Sequence, residues 1–117
     1  MKILTYSVGV WQTNCYFIAD DAGNAAAVDP GDDFEKLASK ISERELNITA
    51  ILLTHGHFDH IGALERLRSL TGAPVYIHRD DAELLADADK SYMKPFGGRD
   101  DICRPADKLI CDGDVIN

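Results

Sequence analysis

The 117-residue chain has little of what several protein classes require. It holds three cysteines, Cys15, Cys103 and Cys111, an odd number with no C-x-x-C pair. That argues against a disulfide framework and against a cysteine-rich zinc ribbon, so these thiols read as buried or inert. No apolar run approaches the roughly 20 residues of a membrane-crossing helix. The N-terminus, Met1-Lys2-Ile3-Leu4-Thr5-Tyr6, lacks the apolar stretch of a secretory leader. The expectation is a cytoplasmic protein with no membrane partner. Positive charge is also scarce: 12 Lys and Arg against 20 Asp and Glu give a formal net charge of -8. A nucleic-acid partner would need a basic stripe to neutralise phosphates, so none is expected. No internal repeat, low-complexity tract or linker interrupts the chain, and its length suits one domain over 1–117.

What is present alternates between strand-like and helix-like patterns. Ile3 to Val10 and Cys15 to Ala19 read as strands, and the Asp20-Asp21-Ala22-Gly23-Asn24 turn cluster leads to a third over Ala25 to Val28. Asp29-Pro30-Gly31 is a sharp stop. Asp32 then reads as a helix cap, with Glu35 as its capping-box partner. Phe34, Leu37, Ala38 and Ile41 recur at helical spacing and predict one buried face. Ile48 to Leu53 suits a buried strand. Further on, Leu64, Leu67 and Leu70 predict the apolar face of a second helix, with Arg66 and Arg68 off it. Val75 to Ile77 reads as a strand, Asp80 to Ala88 as a third helix, Asp89 to Asp107 as loop, and Lys108 to Cys111 as a last short strand. Antiparallel strands followed by strand–helix alternation predict an α/β layered fold with a mixed sheet.

The chemistry concentrates in Thr54-His55-Gly56-His57-Phe58-Asp59-His60. Neutral imidazole and carboxylate are the usual nitrogen and oxygen ligands of first-row metals. His55 and His57, two apart on an extended segment, can reach one ion together. Asp59 and His60 follow after a turn and can reach a second ion nearby. Two ions a few ångströms apart can share and activate one water molecule for attack. The loop leaves the C-terminal end of a buried strand, the edge where open α/β sheets gather ligands. Gly56 keeps the backbone slim between the first two candidate ligands, and Gly62 does so where the next helix begins. Four potential ligands there are hard to excuse as surface residues, because burying them without metal leaves polar groups needing partners. The donor set suits zinc, iron and manganese, among others; zinc is the expectation.

His55-x-His57-x-Asp59-His60 resembles the H-x-H-x-D-H signature of the metallo-β-lactamase superfamily, and looks like its glyoxalase II-like branch of small hydrolases. Asn14-Cys15-Tyr16, Val28-Asp29-Pro30-Gly31, Ile51-Leu52-Leu53-Thr54 and Asp112-Gly113-Asp114 resemble further family segments in the same order. The resemblance implies that His55 and His57 bind a first metal, and that Asp59 and His60 bind a second. It also implies a catalytic role for Asp59 in orienting water or accepting a proton. Asp29 matches a position beside the site, with a supporting or turn role rather than ligation. The implied fold is the N-terminal half of an αβ/βα sandwich, with metals between two similar halves. The implied substrate is a small acyl or thioester molecule, and the full set would hold two zinc ions. The family's later His, bridging Asp and final His have no counterpart here. His78, the remaining histidine, lies where relatives carry a non-ligand residue. The sequence therefore reads as truncated at its C-terminus, with a missing half or self-association as partner.

Two other readings stay open. Some superfamily members use one iron to oxidise persulfides, and a non-catalytic half-domain is also compatible. A diiron redox branch usually has Glu where this chain has His57, and a nuclease is disfavoured by the acidic balance. Tyr92 to Gly98 reads as a loop pinned by its aromatics, with a substrate-lining role as the alternative. Trp11 and Gln12, at a strand end near the expected site edge, read as core packing or a loop contact ahead of substrate binding.

Overall fold

Short polar turns make the first three strands pair with their chain neighbours. The computed structural model describes residues 1–54, 56–87 and 103–116. Strands β1 (Lys2–Val8) and β2 (Thr13–Ala19) run antiparallel, ending with Val8 opposite Thr13. Gly9 (φ 72°) and Gln12 (φ 52°) take left-handed backbone between them, and the Gln12 N–H donates to the Gly9 carbonyl at 3.1 Å. That turn ends β1 at Val8, short of the expected Val10. Strand β3 (Asn24–Val28) follows antiparallel to β2. The Asp20 carboxylate closes the turn by accepting the N–H groups of Ala22 and Asn24, each at 2.9 Å.

The pairing then changes direction. Strands β4 (Asn47–Leu53), β5 (Val75–His78) and β6 (Lys108–Ile110) each lie parallel to the strand before, giving one six-stranded mixed sheet in the order β1-β2-β3-β4-β5-β6. Helices lie between the parallel strands, as parallel pairing demands a crossover. Thr13, Cys15, Phe17 and Ala19 of β2 point inward, while Asn14, Tyr16 and Ile18 alternate outward. The inward face meets Ile51, Leu53, Val75 and Ile77, and is covered by Leu37, Leu64 and Leu67 from the helices. The α/β class with a mixed sheet is as the pattern predicted.

The helices depart from expectation in four places. Helix α1 (Phe34–Glu43) begins at Asp33, whose φ of 54° is left-handed and whose side chain makes no capping bond. The Asp32–Glu35 capping box does not form. The Asp33 carboxylate instead accepts the Gly9 N–H at 2.9 Å, and Glu35 turns outward to Arg66 at 2.7 Å. The second helix is two: α2 (Phe58–Ile61) and α3 (Leu64–Thr71). They separate because the Ala63 N–H donates to the Pro30 carbonyl at 2.9 Å rather than continuing the helical ladder.

In α3, Arg68 is buried and Leu70 is 53% exposed, the reverse of the predicted face. Residues 64, 67, 68 and 71 stack along one helical side, whereas position 70, six beyond Leu64, falls away from it. Finally, Arg79–Ala86 forms a 3-10 helix in place of the α-helix expected over 80–88. Ala82 and Leu85, three apart, eclipse in such a helix and both meet the core. The Asp112-Gly113-Asp114 turn forms as read, with Gly113 at φ 90° and the Cys111 N–H held by the Asp114 carboxylate at 2.8 Å. The Tyr92 to Gly98 segment lies outside the described residues.

Candidate metal centre

The site is built where three turns meet at the C-terminal ends of β3 and β4. Asp29 follows β3 with a left-handed φ of 53° and a side chain almost wholly buried. An ionised carboxylate only accepts hydrogen bonds, and this one has three donors. The Thr54 N–H donates to Oδ1 at 2.8 Å, the Thr54 hydroxyl to Oδ2 at 2.6 Å, and His60 Nδ1 lies 2.9 Å from Oδ2. The Asp29 N–H in turn donates to the Leu52 carbonyl at 3.0 Å. Asp29 thus joins the end of β3, the end of β4 and helix α2. The supporting position expected of it matches these contacts.

The bond to Asp29 fixes which face of His60 is available. With Nδ1 turned to the Asp29 carboxylate, Nε2 is the ring nitrogen on the opposite side, the one a metal would take in the neutral ring. Nε2 lies 3.4 Å from Asp59 Oδ2. Asp59 Oδ2 also accepts the Thr13 hydroxyl at 2.9 Å. His57 stands at the residue before α2, in extended backbone (φ -71°, ψ 152°), and the His60 N–H donates to its carbonyl at 2.9 Å. His55 lies outside the described residues. Among the described residues, no three His, Cys, Asp or Glu side chains converge as one metal site. The structure thus brings Asp59 and His60 together, sets Asp29 behind them, and leaves the first pair, His55 and His57, unassembled within what is described.

Glycines let the turns approach. A Cβ on Gly31 would lie 1.9 Å from the Asp59 carbonyl oxygen, so the turn after Asp29 touches the backbone of α2 directly. A Cβ on Gly56 would lie 2.6 Å from Leu84 Cβ, which places the loop against the 3-10 helix. Gly62 has ordinary helical backbone, and no special freedom is needed there. Beneath the site, burial first and the Asp29 charge second push the Cys15 thiol up to about 12, so it stays protonated. Trp11 is 61% exposed at the β1–β2 turn, which rules out the core-packing reading.

The Asp59–His60 pair suits a first-row metal ion. Two ligand atoms held at ~2.1 Å by one tetrahedral ion lie roughly 3.4 Å apart, the separation found here. A ring whose far nitrogen is bonded to a carboxylate is the usual setting of a metal-binding histidine. In the sequence Thr54 reads only as the residue leading into the loop, and Thr13 lies outside it. Thr13 could have been found as the one polar side chain on the inward face of β2.

The metallo-beta-lactamase superfamily model matches residues 8–116. The chain is 41% identical over 110 residues to a probable metallo-hydrolase, YqgX, of Bacillus subtilis, covering 94% of this chain and 52% of that protein. It is 37% identical over 97 residues to the hydroxyacylglutathione hydrolase GloC of Haemophilus influenzae, covering 83% of this chain and 46% of that one. The solved structure of the BLEG-1 B3 metallo-beta-lactamase superposes with a TM-score of 0.90 at 36% identity, over 95% of this chain and 54% of that one. The chain spans about half the length of the curated relatives it matches. The family model and the fold agree: the chain belongs to the metallo-beta-lactamase superfamily.

Proposed function

We propose that this chain supplies the signature-loop part of a metal-dependent hydrolase centre acting on a thioester or related acyl substrate. The observation that carries the reading is His60 held by Asp29, its Nε2 3.4 Å from Asp59 Oδ2. In it, Asp59 and His60 hold one ion, and His55 and His57 hold a neighbouring one. Further ligands come from polypeptide outside these residues, in keeping with relatives about twice as long. Zinc is the first candidate, with iron or manganese as alternatives, since imidazole and carboxylate suit all three.

A bound metal supplies Lewis acidity toward a carbonyl and lowers the pKa of water. The rest falls to the chain itself. Asp29 engages His60 Nδ1 and thereby turns Nε2 toward Asp59. Asp59 serves as a water-orienting or proton-accepting group, with Oδ2 engaged by the Thr13 hydroxyl. The thioester choice is supported by likeness to the Haemophilus hydrolase named for a hydroxyacylglutathione.

The test uses the longest natural protein containing this sequence. Metal content by mass spectrometry and thioester turnover are measured for wild type and for His57→Ala with Asp59→Ala. Metal-dependent turnover lost in the double variant is the expected result. Undiminished turnover in that variant sinks the mechanism. Oxygen uptake on a persulfide with iron as sole metal would replace hydrolysis by oxidation.

A further inference from the structure

We propose that Thr13 is a positioning residue that holds Asp59 Oδ2 beside His60 Nε2 and so sets the affinity of this pair for a divalent metal. The inference rests on the reading that Asp59 and His60 bind metal. Its starting point is a side chain out of place by sequence pattern: Thr13 is 7% exposed on the inward face of β2, in line with Cys15, Phe17 and Ala19. A hydroxyl there needs a partner, because an unpaired buried one costs free energy. It finds one 46 residues away, donating to Asp59 Oδ2 at 2.9 Å. A carboxylate can only accept, so the direction of this bond is settled.

The geometry gives that bond a consequence. The terminal torsion of Asp is broad, and α2 alone does not choose where the two oxygens point. Oδ2, the oxygen that Thr13 engages, is the same atom that lies 3.4 Å from His60 Nε2. His60 is turned by Asp29 from one side and Asp59 by Thr13 from the other, so both ligand atoms are aimed before an ion arrives.

Thr13 is also well anchored. It forms the last register pair of the β1–β2 hairpin, opposite Val8, and the turn beside it is tied to the start of α1 through the Gly9 N–H and the Asp33 carboxylate. Ligand-supporting groups on a sheet hold geometry better than groups on a loop. Loss of such a partner typically weakens metal binding 10–100-fold.

The experiment titrates the metal-free form of the longest natural protein containing this sequence with Zn²⁺ against a chelating dye and records the visible spectrum of the Co²⁺-loaded form. Thr13→Val and Thr13→Ala both remove the hydroxyl, one with similar volume and one by truncation. Thr13→Ser keeps it. Whichever hydroxyl-free variant folds is expected to bind Zn²⁺ about 10–100-fold more weakly with a changed Co²⁺ band, while Thr13→Ser matches wild type in both. A purely structural role would lower the melting temperature and leave the Co²⁺ band in place. Wild-type affinity in a hydroxyl-free variant overturns the inference alone, as does Thr13→Ser falling equally far. Absence of Zn²⁺, Fe²⁺ and Mn²⁺ binding by wild type overturns the functional reading and this inference together.

Discussion

Asp29 is a buried carboxylate with three donors and an unusual backbone, so its replacement tests packing and chemistry at once. Asn tolerates left-handed backbone, but with its oxygen toward the Thr54 hydroxyl and His60 its NH2 faces the Thr54 N–H, donor against donor. Asp29→Asn is expected to cost roughly 1–3 kcal/mol in urea unfolding and to weaken metal binding about 10–100-fold in chelator competition. Gly31→Ala should act through sterics alone. Its Cβ would collide with the Asp59 carbonyl, and a loss of roughly 1–3 kcal/mol in the same unfolding assay is expected, with α2 displaced from Asp29. Cys15 makes a third residue-scale test. With its thiol pushed up to about 12 by burial, it should resist iodoacetamide at pH 8 in the native protein and react in urea, while half-buried Cys111 is labelled first, as peptide mass spectrometry would show. The raised value means the folded state keeps a proton that the unfolded chain gives up near 9.0, so this group's contribution to stability falls as pH rises past that point.

Among the elements, α3 does more than cover the sheet. Its buried Arg68 donates to the carbonyls of Arg104 and Pro105 at 2.9 and 2.8 Å, and reaches Glu65 at 3.0 Å and Asp107 at 3.3 Å. The Asp107 carboxylate also accepts the Val75 N–H at 2.7 Å. Arg68 therefore fastens the segment entering β6 onto the start of β5. Arg68→Met should cost roughly 2 kcal/mol by urea unfolding, since two carbonyls lose their donor. Glu65 shares this cluster. Burial by itself would raise its carboxyl, but hydrogen bonds from Arg104 and the charges of Arg68 and Arg104 outweigh that and leave it lowered from 4.5. A lowered carboxyl contributes stability that is present above about 4.5 and lost as pH falls through the folded value, so Glu65→Gln should flatten the acid limb of a pH–stability profile.

These elements also mark where sequence reading stopped. Strand and helix order, the mixed sheet and the loop of candidate ligands were legible because alternation and ligand type are local properties. The capping box failed because Asp32 and Asp33 are both capable caps, and only the approach of Gly9 decides how they are used. Asp29 and Thr13 act on residues 31 and 46 positions away, distances no local pattern encodes. Resemblance supplied the place of Asp29; nothing in the loop pointed to Thr13.

At the scale of the molecule, stability is uneven across the sheet. Phe17, Ala27, Ile51, Val75 and Ile77 are fully buried in its central strands, while β6 has three residues and Leu109 is 57% exposed. Amide exchange followed by mass spectrometry should therefore show β3 and β4 slowest and β6 early. Among the described residues no helix is long and apolar enough to cross a membrane.

The sheet's order, with every strand beside its neighbour in the chain, bears on how the fold is made. Among the described residues no strand inserts between two that came before it, so each finds its docking edge already synthesised. Loop-closure entropy stays low at every step, and assembly can proceed from the N-terminus as the polypeptide leaves the ribosome. The strands that carry Thr13 and Asp29 are thus made before His60, and Asp29 gains its partners only as Leu52, Thr54 and His60 follow.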